Sequence, residues 1–437
     1  MRFKKIVSVV ISVVMLVVPF LSSCSVKQVN DSLKVYFYPN GMDQELIDKA
    51  IFLFEKQSGI KVTAYNEVPP NYKEGRDEYF NKLSAEIMAG NAPDVFVTSV
   101  EFLTNIFKMM ESGAFLDFDT LIKKDSEFNL SDYEKMVMDT GIYSDARFLM
   151  PISYHVPLLF TTGNRLGRYG LQREDFENYE SLLDTALTLQ NEGVSYFVPP
   201  FSYGFMWSSG GWFQEMVNIE EKTVDISAPT IDKAIKFLKN EELLRTEYDV
   251  MQTGFHSSLI DYEKGIFCIC PYVANEMIYL ASAEGDDDVE MFTIPNINGQ
   301  STATVASYCM ISSTSVNVKN AWEFVKILLG DECQSNMSII GDGVGVATQW
   351  IDANIEAQMK RQESRGYGSV SNKHENMVKE LYKTCDNAII ASAHSGVLAY
   401  LEMEILQGYI LNSDYEKVDL NAVKEQAKNN LSIWLNE

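Results

Sequence analysis

The chain has 437 residues, of which 46% are hydrophobic and 22% are charged. This composition is ordinary for a globular protein and argues against a disordered or collagen-like chain. At about 100–200 residues per domain, the length predicts two or three domains. The 61 acidic and 36 basic residues give a formal net charge of −25, which repels phosphate backbones and argues against nucleic-acid binding.

The beginning of the chain has the pattern of a secretory signal peptide. Three basic residues within the first five positions precede an apolar run at 6–21, which is shorter than the roughly 20 residues of a membrane-spanning helix. Leu21-Ser22-Ser23-Cys24 then resembles the bacterial lipobox, although an ordinary signal peptide with an incidental cysteine is the alternative. We therefore expect residues 1–23 to be removed, Cys24 to carry a lipid, and residues 24–32 to form a polar tether.

Strands and helices alternate after this tether. In chain order, the apolar periodicity predicts a strand at 33–38, a helix at 42–57, a strand at 60–65, a helix at about 79–89 and a strand at 94–97. This order predicts a mostly parallel sheet with helices on both faces. Sheets of this kind bind ligands beyond the carboxyl ends of their strands, which here correspond to residues 38–41 and 98–101.

Two proline-containing stretches interrupt the alternation. Residues 148–160 form a long extended run with two prolines, and proline is tolerated in a strand only at an edge or a bend. This run therefore predicts a strand that leaves one lobe and enters another. A second bend at 292–297 precedes a predicted strand at 303–312, and from about residue 351 the sequence predicts an almost wholly helical segment.

The titratable residues give no sign of a metal centre or a catalytic site. Apart from Cys24 the cysteines are five in number, Cys268, Cys270, Cys309, Cys333 and Cys385. An odd, scattered set predicts buried free thiols rather than a disulfide framework. The acidic run at 284–288 lacks the spacing of an EF-hand, and the glycine-rich run at 341–345 lacks the lysine and serine of a P-loop. We therefore expect no metal, no other cofactor and no catalytic residues.

Four segments carry motifs that occur in a fixed order. Residues 89–96 read AGNAPDVF, residues 113–118 read GAFLDF, residues 151–158 read PISYHVPL, and residues 320–329 read NAWEFVKILL, followed by Gln334. The first resembles the A-G-x-x-P-D-V/I signature of family 1 extracellular solute-binding proteins, which include the maltose-binding protein. The other three resemble that family's G-x-L-x-D/P-L stretch, its first crossover between lobes and its A-W-x-F helix.

The resemblance implies an α/β fold of the type II periplasmic-binding-protein kind. Each of its two lobes is a mostly parallel sheet flanked by helices, and hinge strands join them around a ligand cleft. Together with the bends above, it implies an N-terminal lobe of residues 33–152 and 296–345 and a C-terminal lobe of residues 153–295 and 346–437.

The function implied by the resemblance is that of a transport receptor. It implies a non-catalytic monomer on the extracytoplasmic face of a bacterial cell membrane, held there by its lipid alone. Such a receptor captures a sugar or an oligosaccharide and delivers it to the transmembrane subunits of an ABC permease.

An aromatic, glycine-marked loop at 201–213, FSYGFMWSSGGWF, is the predicted ligand wall. Tyr203, Trp207 and Trp212 offer flat surfaces to the apolar face of a sugar ring. The alternative is that these aromatic side chains pack the core of the second lobe.

The family pattern adds further positions to the predicted site. They are Tyr38 and Asn40 after the first strand, Glu101 beyond the P-D-V strand, His155 at the crossover, and Tyr272, which stands in Cys-Pro-Tyr where relatives often have G-P-W. At the position of His155 the maltose-binding protein carries a contacting carboxylate. Asp94 and Trp322, in contrast, are predicted to be structural, the first in a turn and the second on an apolar helix face.

Other functions remain open at this point. The same fold could carry a polyamine, a peptide, glycerol phosphate or a metal chelate, or it could serve a sensor instead of a permease. A secreted glycosidase would need a pair of carboxyl groups about 5–10 Å apart, and no catalytic signature supports that alternative.

Overall fold

The computed structural model describes most of the chain that follows the predicted tether. The described residues are 32–37, 44–65, 76–98, 103, 106–156, 158–192, 194–198, 216–227, 231–233, 235–236, 239, 265–270, 288–295, 299–337, 343–364, 371–390, 403–410 and 415–436. The predicted signal peptide and Cys24 lie outside these residues.

Strands and helices alternate through the described residues. The strands are β1 (Ser32–Phe37), β2 (Lys61–Tyr65), β3 (Val95–Thr98), β4 (Ile142–Tyr143), β5 (Ala146–Arg147), β6 (Met150–His155), β7 (Leu158–Thr162), β8 (Ser195–Val198), β9 (Val217–Asn218), β10 (Thr223–Val224), β11 (Gly265–Cys270), β12 (Val289–Thr293), β13 (Thr302–Ile311), β14 (Val344–Gly345) and β15 (Asn387–Ile390). The α-helices are α1 (Gln44–Ser58), α2 (Arg76–Met88), α3 (Ile106–Glu111), α4 (Phe118–Ile122), α5 (Lys135–Asp139), α6 (Gly163–Arg168), α7 (Tyr179–Asn191), α8 (Val318–Leu329), α9 (Asp331–Gln334), α10 (Ile351–Ser364), α11 (Asn372–Lys383) and α12 (Leu420–Asn436). Short 3₁₀ helices cover Leu130–Asp132, Arg173–Phe176, Thr348–Trp350 and Tyr415–Lys417, and a π-helix covers Met403–Ile410.

The larger of the two main sheets is mixed and has seven described strands. Its order is β14-β6-β13-β3-β1-β2, and β15 pairs with β13. Strand β1 is parallel to β2 and β3, whereas β13 is antiparallel to β3 and to β6. Because β3 and β6 both run against β13, their carboxyl ends point in the same direction.

The first elements predicted from the sequence form part of this sheet and its helices. The five elements predicted between residues 33 and 97 are all confirmed, with ends shifted by no more than three residues. Strand β3 is buried on both faces, as expected for the short apolar run of a parallel strand. Helices α1 and α8 pack against each other in the same core, where the rings of Phe54 and Phe324 meet edge to face at 5.8 Å.

A second sheet of four described strands has the order β12-β7-β11-β8. Strand β11 is parallel to β8 and antiparallel to β7, and β12 is antiparallel to β7. The carboxyl ends of β8 and β11 therefore lie at one edge. A separate core packs here, in which α7 contributes Leu182 and Leu183, and α12 contributes Ala427 and Leu431.

The chain passes from the first sheet to the second between His155 and Leu158. Strand β6 ends at His155 in the first sheet, and β7 begins at Leu158 in the second. The prediction that the run 148–160 crosses between two structural units is confirmed. The chain returns between β12 and β13, where Pro295 pairs with Ser301 in an isolated bridge.

The C-terminal segment contributes to both cores. The sequence predicts all of 346–437 in the C-terminal lobe. Ile355 of α10 and Val378 of α11 are buried in the first core, which also includes Met291 of β12 in the second sheet. Strand β15 pairs with β13 of the first sheet. The assignment of residues 346–437 to the C-terminal lobe stays a prediction. The apolar face of a helix does not specify which core it joins, and the four residues of β15 are too few to stand out in a helical segment.

The described cysteines are free thiols. Cys309 and Cys333 are buried and Cys385 is partly buried, which confirms the prediction for the first two, while the side chains of Cys268 and Cys270 lie outside the described residues. Burial raises the pKa of Cys333 to about 12, so this thiol stays protonated at neutral pH. Within the described ranges, no helix is long and apolar enough to cross a bilayer, and no group of side chains could hold a metal ion.

Candidate functional site

Three strands of the first sheet direct their carboxyl ends to one edge. Strand β1 ends at Phe37, which lies opposite Val97, and β3 ends one residue later at Thr98. Strand β6 runs in the same direction and ends at His155. Ligands of open α/β sheets bind beyond this edge, which makes it the candidate ligand site.

The predicted ligand residues follow the ends of these strands and of β8 and β11 in the chain. Those that lie outside the described residues are Tyr38, Asn40, Glu101, Tyr203, Trp207, Trp212 and Tyr272. Tyr38 comes directly after β1, and Tyr272 comes two residues after β11. The ends of β1 and β3 are therefore where the sequence predicts them, whereas the role of these side chains in ligand binding remains a prediction.

His155 is the predicted ligand residue that the structure does describe. It is partly exposed at the end of β6, opposite Thr304 of β13. Burial lowers the pKa of His155 to about 4, so the imidazole is neutral at pH 7. A neutral imidazole has one donor and one acceptor nitrogen, which suits a hydroxyl group and provides no charge for an anion.

The strands on which His155 and its partner lie have polar but uncharged side chains at this end. Ser153, Thr302, Thr304 and Ser307 are all buried. Neither β6 nor β13 contains an acidic residue, a lysine or an arginine. This part of the edge can offer hydrogen bonds without a formal charge. No sequence pattern indicated this uncharged edge, because serine and threonine are ordinary components of a strand.

Asp94 and Trp322 are structural, as predicted. Asp94 is 6% exposed at the amino end of β3, where its carboxylate accepts hydrogen bonds from the backbone N–H of Lys34 at 2.8 Å and the hydroxyl of Ser315 at 2.6 Å. Trp322 is buried in α8, and its indole N–H donates to Asp125 at 2.8 Å. Both lie within the framework that supports the sheet, and Asp94 is at the opposite end of β3 from the candidate site.

A polar contact joins the parts of the chain that belong to the two cores. Glu111, at the end of α3, accepts a hydrogen bond from Lys222 at 2.8 Å and another from the hydroxyl of Tyr143 at 2.7 Å. The backbone N–H of Ser144 donates to Glu220 at 2.7 Å. We call the Glu111–Lys222 and Ser144–Glu220 interactions together the bridging contact. The bridging contact could not be predicted from the sequence, because its partners are about a hundred residues apart in the chain.

Comparison with known proteins agrees with this architecture. The model of the bacterial extracellular solute-binding protein family matches residues 49–362, well over half of the chain. No curated protein matches the chain significantly.

Three solved structures illustrate the similarity in fold. The sugar-binding protein MalE from Xanthomonas citri has a TM-score of 0.64 at 13% identity, covering 93% of this chain and 97% of its own. The cyclic alpha-maltosyl-1,6-maltose binding protein from Arthrobacter globiformis has a TM-score of 0.61 at 12% identity, covering 92% and 98%. An ABC substrate-binding protein from Listeria monocytogenes in complex with cycloalternan has a TM-score of 0.58 at 16% identity, covering 93% and 99%. At identities of 12% to 16%, these similarities show a shared fold, which is the two-lobed type II fold.

Proposed function

Because the chain belongs to the bacterial extracellular solute-binding proteins, which are non-enzymatic extracytoplasmic components of ABC transporters, we propose that it binds a sugar or an oligosaccharide. The ligand is held in the cleft between the two lobes and is passed to the transmembrane subunits of an ABC permease. The observation that carries this proposal is the uncharged polar end of β6 and β13, where His155 is a neutral imidazole.

The chemistry of this edge favours a polyhydroxylated ligand over a charged one. A buried anion or cation needs a counter-charge, and β6 and β13 provide none. The predicted aromatic wall at 201–213 follows β8 of the second sheet, so it would meet the sugar from the other lobe. The three solved structures named above are described as sugar-binding or hold an oligosaccharide.

Contacts between the ligand and both walls of the cleft favour closure of the two lobes around it. The chain crosses between the sheets between β6 and β7 and again between β12 and β13. Rotation about such crossings brings two walls together, and a ligand that touches both favours the closed arrangement. A permease can then distinguish the loaded receptor from the empty one.

Calorimetry with a panel of saccharides tests this function. The panel contains maltose, maltotriose, cycloalternan and tagatose. Wild-type protein should bind at least one of them, and Trp207→Ala or Trp212→Ala should weaken that binding by about 1–4 kcal/mol if a stacking contact is lost. Trp350→Ala is the matched control, since this indole donates to Asp331 at 3.0 Å and should not affect affinity.

A folded wild-type protein that binds none of these sugars would contradict the proposal. Binding of a polyamine, a peptide or glycerol phosphate in the same calorimeter would then assign a different cargo to the same fold.

The membrane anchor is a separate part of the proposal and rests on the lipobox-like sequence that ends at Cys24. Lipidated protein should appear in the membrane fraction of the producing bacterium, with a modified Cys24 at its N-terminus by mass spectrometry. Cys24→Ser should abolish this modification and release the protein from the membrane, whereas Cys333→Ala should leave it attached. Membrane attachment that survives Cys24→Ser would contradict the anchor.

A further inference from the structure

Strand β13 carries a buried hydroxyl group whose hydrogen-bonding capacity is unused. Thr304 is 5% exposed, and its Oγ1 atom has no hydrogen-bond partner within the described part of the chain. A buried polar group without a partner costs about 1–3 kcal/mol, and folded proteins retain few of them. An unused hydroxyl beside a candidate ligand site is therefore a candidate contact.

The neighbours of Thr304 show which way its side chain points. Across the β6–β13 pair, Thr304 lies opposite His155, and Val305 lies opposite Tyr154. Val305 and Tyr154 are buried in the first core, where the ring of Tyr154 meets that of Tyr382 at 5.6 Å. Because successive residues of a strand face opposite sides, Thr304 and His155 share the side turned away from this aromatic contact.

A second unused oxygen lies on the neighbouring strand. Asn387 of β15 pairs with Thr302 of β13. Thr302 precedes Thr304 by two residues, about 7 Å along the strand, so Asn387 lies on the same side of the sheet as Thr304. Its amide N–H₂ donates to Gln300 at 3.2 Å. Its buried Oδ1 atom has no partner among the residues that the structure describes.

We propose that Thr304, His155 and Asn387 form a subsite for the hydroxyl groups of an uncharged ligand, where the chain crosses between the two sheets. The subsite rests on the proposed function and extends it to residues that no sequence pattern indicates. A hydroxyl group, an imidazole and an amide oxygen can each bond a sugar hydroxyl, which both donates and accepts. None of them requires a charge on the ligand.

Thr304→Val tests the subsite because it keeps the shape of the side chain and removes only the hydroxyl. Calorimetry with the member of the saccharide panel that binds wild-type protein most tightly should show affinity reduced about 5–10-fold. The urea midpoint should stay the same or rise, since a buried unpaired group is removed. Thr304→Ser restores the hydroxyl and should restore most of the affinity.

Ser84→Ala is the matched control. Ser84 lies in α2, where its buried hydroxyl also lacks a partner within the described ranges, so its removal should leave affinity unchanged. Equal affinities of wild type and Thr304→Val for the same sugar would overturn the subsite and leave the proposed function standing. Wild-type protein that binds no saccharide of the panel would overturn both.

Discussion

Asp94 shows how much of the fold one carboxylate can stabilise. Besides Lys34 and Ser315, it accepts a hydrogen bond from the side-chain amide of Asn317 at 3.2 Å, so it joins β1, β3 and the loop that precedes α8. Asp94→Ala would leave three donors without their acceptor, and we expect it to lower the free energy of unfolding by about 2–4 kcal/mol. Urea denaturation followed by circular dichroism measures this loss.

Asp94→Ala should leave ligand affinity unchanged at temperatures where the variant is folded, because Asp94 and the candidate site lie at opposite ends of β3. Asp48→Ala is a suitable control, since Asp48 is an exposed residue of α1 that accepts a bond from Gln44 one turn earlier. A large loss of affinity in folded Asp94→Ala would show that this residue is part of the ligand site.

Residue roles could be predicted where the sequence places chemistry in a recognisable local context. Asp94 follows a Gly-Asn-Ala-Pro turn, and Trp322 shares a helix face with apolar neighbours, so both were assigned correctly. The partners Ser315 and Asn317 are more than two hundred residues from Asp94 and could not be predicted. Thr304 was missed for a different reason. Threonine is common in strands, and only the structure shows that its hydroxyl has no hydrogen-bond partner among the described residues.

Helix α8 is held to the segment that follows α4 by a cluster of Asp125, Trp322 and Lys326. One oxygen of Asp125 accepts from the indole N–H of Trp322 and from Lys326, each at 2.8 Å. These hydrogen bonds lower the pKa of Asp125 to about 2. Since the folded-state pKa lies below the usual value of 3.8, the cluster stabilises the fold fully above pH 4 and loses this contribution as the pH falls toward 2.

Asp125→Asn should therefore lower the free energy of unfolding by about 1–2 kcal/mol at pH 7, and this difference from wild type should vanish near pH 2. Urea denaturation at a series of pH values measures it. Asp352→Asn provides the matched control, because the Asp352–Lys383 pair is half exposed and such pairs contribute little. A difference that persists unchanged at pH 2 would show that the charge of Asp125 is not its source.

Elements with strong periodicity could be predicted, and short ones could not. The alternation from β1 to β3 was visible because each element is an apolar run of the expected length, bounded by Gly59 and by Pro93. Strand β15 has four residues between α11 and a stretch that the structure does not describe. Its place beside β13 depends on parallel pairing with residues more than eighty positions earlier, which no local pattern encodes.

At the scale of the whole molecule, the bridging contact links segments that pack in different cores. Glu111 follows Met109 and Met110 of the first core, whereas Lys222 lies in the β9–β10 hairpin, whose Val217 and Val224 belong to the second. Although burial alone would raise the pKa of Glu111, the hydrogen bonds from Lys222 and Tyr143 bring it below the usual value. The carboxylate therefore stays charged, and the ion pair intact, down to below the usual pKa of a glutamate.

An ion pair between two segments that move relative to each other stabilises the arrangement in which it forms. Glu111→Lys should therefore reduce the fraction of ligand-free molecules that show the interlobe distance of this structure. The ratio of molecules with this interlobe distance to molecules with other distances should fall about twofold to fivefold, because a partly exposed ion pair contributes about 0.5–1 kcal/mol. Spin labels at Lys56→Cys in α1 and Glu192→Cys after α7, both exposed positions, report this distance.

The double reversal Glu111→Lys with Lys222→Glu should restore the wild-type distribution, since opposite charges face each other again. Glu180→Lys is the matched control. Glu180 pairs with Lys236 at a half-exposed site next to the second core and takes no part in the bridging contact. Reversal of its charge should therefore leave the interlobe distances unchanged. Lowering the pH through the depressed pKa of Glu111 should reproduce the effect of Glu111→Lys in the wild-type chain, because protonation removes the charge that Lys222 faces. A distribution that responds to neither reversal nor acid would show that the bridging contact does not influence how the two lobes are arranged.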